Sequence, residues 1–200
     1  ALPGLEARIA EDGELLIKGP NVFRGYHDND DASFGTVVDG WLQTGDRGSI
    51  DEDGFVTITG RKKDIIITAG GKNITPANLE NDLRQSPWIS QAVAYGDRRP
   101  YLVALISLDA EQVIPWARRH GLSADLATLA AHQSVHALVQ AVVDQANARY
   151  AKAAQIKKFT ILDHDCAQET GELTPTLKVK RQFVQQKYAH VLDALYDEPS

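Results

Sequence analysis

Three groups of residues along this 200-residue chain have the types and spacing for chemistry. The first is Asp46, which closes Gly40-Trp41-Leu42-Gln43-Thr44-Gly45-Asp46. A glycine lets such a loop turn tightly, and the carboxylate that follows can accept hydrogen bonds from two neighbouring ribose hydroxyls. A plain Asp turn suits the triplet equally well. The second group runs from Gly60 to Glu80, G-R-K-K-D-I-I-I-T-A-G-G-K-N-I-T-P-A-N-L-E. Arg61 is a rigid, permanently charged fork of donors suited to hydroxyl or phosphate oxygens. Gly70 and Gly71 let backbone approach a ligand closely or turn with positive φ. No G-x-x-x-x-G-K-[ST] pattern surrounds them, so Gly70-Gly71-Lys72 is not a phosphate-binding P-loop. The third group is Leu173-Thr174-Pro175-Thr176-Leu177-Lys178-Val179-Lys180-Arg181, whose Lys178-Val179-Lys180-Arg181 by itself reads as an exposed basic strand more readily than a catalytic one.

The elements that must carry these groups follow from periodicity and turn signals. Residues 5–60 are β in pattern. Residues 9–15 read as a hairpin turning at Asp12-Gly13, with 15–18 as its return strand. Residues 47–55 repeat the device around Asp51-Glu52-Asp53-Gly54, and 56–59 continue as strand. That turn has the look of a calcium loop but lacks its closing glutamate and flanking helices. Asp28-Asn29-Asp30-Asp31 reads as a solvated loop or helix cap. The run 64–68 is short, apolar and β-branched, as a strand should be. Thr75 and Pro76 then form an N-cap and first helical position, with Leu79 and Leu83 on one helix face that ends near Ser86-Pro87.

Residues 89–95 and 101–108 read as two strands joined by Gly96-Asp97-Arg98-Arg99-Pro100. The second is apolar nearly throughout, as in a strand covered on both faces. Asp109 with Gln112 resembles a capping box, opening a helix that closes at His120-Gly121, with a kink or break expected at Pro115. Val135, Leu138, Val139, Val142 and Ala146 keep helical spacing, giving an amphipathic helix to about Tyr150. Residues 156–162 return to strand with Phe159 and Ile161 on one face, a polar loop spans 163–172, and 182–195 form a final helix. His132 and His136 have a metal-binding spacing without a third ligand, which leaves a solvated helix face.

Bulk properties exclude several classes. A net charge of −6 argues against a non-specific nucleic-acid binder. Cys166 is the only cysteine, so neither an internal disulfide nor a Cys-based zinc site is expected, and a reducing, cytoplasmic setting fits best. No apolar run approaches a membrane span and no signal peptide opens the chain. The chain starts at Ala1 and contains no methionine, so it is expected to be a piece of a longer protein.

In their order and spacing the three groups resemble the C-terminal part of the adenylate-forming enzymes, and within them the long-chain fatty acyl-CoA synthetases. The likeness runs essentially from end to end, starting with Leu2-Pro3-Gly4 and Gly19-Pro20-Asn21-Val22-Phe23-Arg24-Gly25-Tyr26. It implies that Asp46 and Arg61 face the ribose of ATP or AMP, with Trp41 serving packing. It implies that Lys63 is the pivot about which a small C-terminal domain swings. Lys178 matches the catalytic lysine of a P-x-T-x-x-G-K-x-x-R-like motif, with Arg181 three residues later. Leu177 stands where that motif usually has glycine, a departure shared by long-chain synthetases that leaves the loop's shape open. Gly70 and Gly71 would wall the pantetheine channel, while Lys72 and the Arg98-Arg99 turn would meet the charged nucleotide end of CoA. The phosphate loop, most of the acyl pocket and most of the Mg2+ binding would lie upstream of residue 1.

The resemblance implies an α+β fold: the β-rich end of a large N-terminal domain (1–60), a hinge (61–64), and a small mobile α/β domain (65–200) with a short central sheet flanked by helices. The implied activity is that of an ATP-dependent long-chain fatty acid–CoA ligase: acyl-adenylate formation with pyrophosphate release, then acyl transfer to CoA. Its partners are a fatty acid, ATP and CoA, with no nucleic acid. A greasy substrate would suit peripheral membrane contact, though no residue here encodes it. Two rivals remain open: a fatty acyl-AMP ligase that passes the acyl group to a carrier protein, and a non-enzymatic binding module.

Overall fold

The computed structural model describes residues 3–197, so Leu2 of the opening motif lies outside the described residues. The backbone divides into two compact units, Ala1–Ile65 and Ile66–Ser200.

In the first unit, β1 (Glu6–Ile9) and β2 (Glu14–Lys18) form the expected hairpin, with Ile9 opposite Leu15 and Gly13 at φ 84° in the turn. A short α1 (Asp30–Ser33) and β3 (Val37–Val38) lead into β4 (Trp41–Ile50), the longest strand. β4 takes β2, β3 and β5 (Val56–Arg61) as antiparallel partners. The β4–β5 turn closes on Asp51, whose Oδ1 accepts the N–H groups of Asp53 at 3.1 Å and Phe55 at 2.8 Å. That carboxylate oxygen is committed to backbone donors of its own turn.

The second unit opens with a two-stranded hairpin, β6 (Ile66–Ile67) and β7 (Asn73–Ile74). The expected strand over 64–68 is therefore shorter. Asp64 belongs to a 3-10 turn, Lys62–Asp64, and the Gly71 N–H bonds the Thr68 carbonyl at 2.8 Å, folding the chain back at once. Helix α2 (Pro76–Arg84) buries Pro76, Leu79, Glu80 and Leu83. β8 (Ile89–Tyr95) and β9 (Leu102–Leu108) are antiparallel, and β10 (Ile156–Ile161) joins β9 in parallel. A parallel neighbour requires a crossover connection. It consists of α3 (Ala110–Arg119), α4 (Leu126–Ala130) and α5 (Gln133–Asn147).

Alternation along the strands then makes two cores. Ala92, Ala94, Leu102, Ala104, Ile106 and Leu108 pack under α2 to α5. Val93, Val103 and Leu105 pack under α6 (Arg181–Lys187) and α7 (Ala189–Asp197). The all-buried β9 is the middle strand of this small sheet between two helical layers.

Four local expectations need correction. Helix α3 is not broken at Pro115, because the carbonyl it leaves unpaired belongs to Glu111 on the exposed side, where water can serve it. Helix α4 was not expected; Asp125 caps it by accepting the Thr128 N–H at 2.8 Å. The buried stripe of α5 is Val135, Val139, Val143 and Ala146, and the helix stops at Asn147, whose side chain bonds both the N–H and the C=O of Ile156 at 2.9 Å. The last helix is two helices, since Tyr188 leaves helical geometry (φ −106°, ψ 20°) and its hydroxyl is drawn onto Glu172.

Candidate functional site

The Thr44-Gly45-Asp46 turn is an irregularity inside a strand. β2 and β4 pair Leu16 with Gln43 and Glu14 with Arg47, so one residue of β2, Leu15, faces three of β4. The extra residues bulge out, and Gly45 takes φ 70°, which a side chain would strain. The displaced polar groups find specific partners. The Thr44 hydroxyl donates to the Leu15 carbonyl at 2.6 Å, and the Gly45 N–H donates to Glu14 Oε1 at 2.8 Å. Asp46 faces Arg61 across the β4–β5 ladder, and Arg61 Nε lies 2.9 Å from Asp46 Oδ1. Both groups that the resemblance assigns to the ribose thus stand together. Arg61 lines an open cleft of about 770 Å3 with Tyr26, Phe34, Thr36, Gln43 and Thr44.

Lys63 is exposed in the 3-10 turn that follows β5. Its neighbour Lys62 is tied down: Nζ lies 2.5 Å from Asp12 Oδ2 and 2.9 Å from Glu14 Oε2. The hydrogen bond to Asp12, then that to Glu14, raises the Lys62 pKa above its ordinary value, and the Lys62 bond lowers that of Asp12.

In the second unit, Gly70, Gly71 and Lys72 form the β6–β7 turn, with Gly71 at φ 74°. No heavy atom lies within 4 Å of where a Gly71 Cβ would stand, so the backbone there faces open space. The turn is stitched to Arg98-Arg99: the Arg98 N–H donates to the Ile67 carbonyl at 2.7 Å and the Ala69 N–H to the Arg99 carbonyl at 2.9 Å. The two basic residues differ. Arg98 is exposed, whereas Arg99 pairs with Asp193 and lies over the Tyr196 ring at 4.8 Å. Arg98 Nε lies 3.8 Å from Asp97 Oδ2, and Lys72 is exposed.

Lys178 sits on a small hairpin. Leu173 bridges Val179, the Thr174 N–H donates to the Lys178 carbonyl at 2.8 Å, and the Lys178 N–H donates to Thr174 Oγ1 at 3.0 Å. The turn requires positive φ at Leu177, 59°, which accounts for the glycine usual at that position in the motif. Both stems are anchored. On one side Arg181 donates to Glu80 Oε2 at 2.6 Å and to the Ala94 carbonyl at 3.1 Å, while Glu80 Oε1 accepts the Ala94 N–H at 2.7 Å.

On the other side stands Glu172, fully buried. Its oxygens accept from Lys187 at 2.7 Å, Thr170 at 2.6 Å and Tyr188 at 2.5 Å, with His164 Nε2 at 3.0 Å. Burial alone raises its pKa, but the bonds from Lys187, Thr170, Tyr188 and His164 outweigh it and bring it down to about 2. Burial likewise works against a charged His164, yet its bonds to Asp163 and Glu172 leave its pKa raised.

The buried carboxylates Glu14, Glu80 and Glu172 escaped the motif analysis. Two carry a readable signal. Glu80 occupies a slot of the stripe Pro76, Leu79, Glu80, Leu83, and Glu14 is in phase with Leu16, so each is an acid where an apolar residue is due. The His132–His136 pair is structural. His132 Nδ1 caps α5 by accepting the Ser134 N–H at 3.2 Å, and His136 stacks on Phe159 at 4.6 Å. Among the described residues, no group of three or more His, Cys, Asp or Glu is arranged to hold a metal ion, and no helix is long and apolar enough to cross a membrane.

The family model of the AMP-binding enzyme C-terminal domain matches residues 63–200. Long-chain-fatty-acid–CoA ligase FadD15 of Mycobacterium tuberculosis is 49% identical over 199 residues, which cover 98% of this chain and 33% of that protein. Long-chain-fatty-acid–CoA ligase ACSBG1 of Rattus norvegicus is 34% identical over 222 residues, covering 98% and 31%. The adenylation domain of a carboxylate reductase from Mycobacterium chelonae superposes with a TM-score of 0.79 at 20% identity over 97% of this chain and 31% of that one, a likeness of fold. The chain spans about a third of the length of the curated relatives it matches.

Proposed function

The chain belongs to the AMP-binding enzymes, with residues 63–200 as their C-terminal domain, and from that premise we propose that it is the C-terminal portion of an ATP-dependent long-chain fatty acid–CoA ligase. The observation that carries this reading is the Asp46–Arg61 pair at 2.9 Å on facing strands, beside a cleft. A carboxylate and a guanidinium so placed can hold the two hydroxyls of a ribose. The names of the relatives supply the fatty acid and CoA.

In this reading the fatty carboxylate attacks the α-phosphorus of ATP and pyrophosphate leaves. Negative charge gathers on both reactants, and Lys178, a point charge at the tip of an anchored hairpin, stabilises that transition state. The CoA thiol then attacks the carbonyl of the acyl-adenylate, its proton is lost and AMP leaves. The bare backbone of Gly70-Gly71 leaves room for the pantetheine arm, with Lys72 and Arg98 toward the nucleotide end of CoA. The second unit turns about Lys63 to serve the two steps in succession. Mg2+ would neutralise the ATP phosphates, held mainly by residues of the upstream part of such an enzyme. A cytoplasmic enzyme that touches a membrane at its periphery to collect its substrate fits this chemistry.

The test is a thioester assay on the full-length enzyme with a long-chain fatty acid, ATP and either free CoA or a phosphopantetheinylated carrier protein. Acyl-CoA formation with AMP and pyrophosphate as co-products is the expected result. Transfer to the carrier protein alone overturns the CoA reading, and no ATP consumption with either acceptor overturns the enzyme.

A further inference from the structure

Glu14 makes two connections that no ligand contact demands. Its side chain is buried, yet it opens β2 with an acid, and a buried carboxylate is retained only where it is paired. Oε1 accepts the Gly45 N–H at 2.8 Å, the donor that the bulge of β4 strips of its ladder partner. Oε2 accepts from Lys62 Nζ at 2.9 Å, and Asp12 holds the same ammonium at 2.5 Å. Lys62 is the single residue between Arg61, which pairs with Asp46, and Lys63, the proposed pivot. One carboxylate therefore grips the chain on both sides of the ribose pair: at the turn preceding Asp46 and at the residue following Arg61.

We infer that Glu14 and Lys62 are positioning residues for the nucleotide, a clamp that keeps Asp46 and Arg61 in register while the chain from Lys63 onward changes direction. The inference rests on the reading that Asp46 and Arg61 bind ribose. A torsional change at a pivot spreads to adjacent residues unless something holds them. Here the neighbour on the fixed side is held by two carboxylates, both from the first unit. Neither Glu14 nor Lys62 needs to touch ATP for its loss to be felt, because releasing Lys62 frees Arg61 to leave Asp46.

The experiment uses the full-length enzyme and measures KM for ATP and kcat for pyrophosphate release in Lys62→Met, Glu14→Gln, the double variant and Lys62→Arg. Glutamine keeps an acceptor for the Gly45 N–H and removes the charge that Lys62 needs. Each single variant is expected to raise KM for ATP about tenfold, the scale of losing one charge-assisted hydrogen bond, and more than it lowers kcat. The double variant should be no worse than about the worse single, since both cut one link. Lys62→Arg, which keeps the charge, should recover most of the loss. Partial unfolding would lower kcat per mole of protein and leave KM unchanged, so the split separates positioning from mere stability. KM values within about twofold of wild type in both single variants overturn the clamp while leaving the ribose site standing. A wild-type enzyme without ATP-dependent adenylate formation overturns the ribose reading and the clamp with it.

Discussion

Arg181 and Glu80 stand 101 residues apart in the chain and are joined by a 2.6 Å ion pair, with the Ala94 peptide bound by both. The pair ties the stem of the Lys178 hairpin to α2, the helix that follows the Gly70-Gly71 turn. Glu80→Ala leaves a largely buried guanidinium and the Ala94 N–H without their acceptor. Removing one partner of such a pair costs about 3 kcal/mol. Chemical denaturation of the chain should show that loss, and adenylate formation in the full-length enzyme should fall further than thioester formation. A loss below about 0.5 kcal/mol would mean that water replaces the carboxylate freely.

Lys178→Ala should slow adenylate formation at least ~100-fold, the usual cost of deleting one transition-state donor. Thioester formation from supplied acyl-adenylate should survive, because in the proposed mechanism that step uses the glycine turn. Pyrophosphate release and single-turnover thioester assays measure the two steps. Equal losses in both would make Lys178 a structural residue of its hairpin.

Leu177 holds φ 59° with a side chain that is 62% exposed. The left-handed region costs a non-glycine residue roughly 1–2 kcal/mol, and glycine's extra freedom in the unfolded chain takes back about 0.5–1 kcal/mol. Leu177→Gly should therefore stabilise the chain by roughly 0.5–1 kcal/mol, and Leu177→Val should destabilise it. Urea midpoints at constant slope provide the measurement; a clear loss with glycine would show that the leucine side chain contributes more than its backbone strain.

The Glu172 network makes stability depend on pH at both ends. The folded pKa of Glu172, about 2, lies below its ordinary 4.5, so its contribution is complete above pH 4.5 and is lost as pH falls through 2. The His164 pKa is raised above 6.5, so its contribution is complete below pH 6.5 and is lost as pH rises through the folded value. Melting curves of wild type and Glu172→Gln should differ most near neutrality and converge towards pH 2. A constant difference across that range would mean that the network's charge is not what stabilises it.

Proline at Lys63 fixes φ there and restricts Lys62. If the pivot lies at Lys63 and the stiffened chain keeps the adenylating orientation, pyrophosphate release persists while CoA thioester formation falls by orders of magnitude. Near wild-type rates in both half-reactions of Lys63→Pro would place the pivot elsewhere.

What the sequence determined by itself is local. Apolar alternation and runs located β8, β9 and β10, helical spacing located α2 and α5, and glycine and aspartate marked the turns, because each pattern records which side of its own backbone is buried. The residues proposed to bear chemistry, Asp46, Arg61, Lys63, Gly70, Gly71 and Lys178, could be named from the sequence because they stand inside short contiguous motifs. The partners were not. Glu14 and Glu80 betray burial by sitting in apolar phase, but periodicity says nothing about what lies across from them. Only the fold brings Gly45 and Lys62 to Glu14, Arg181 to Glu80, and Lys187, Tyr188 and His164 to Glu172. A hydrogen bond between distant residues depends on where separate elements cross in space, and a crossing is a property of packed sheets and helices rather than of any stretch of chain.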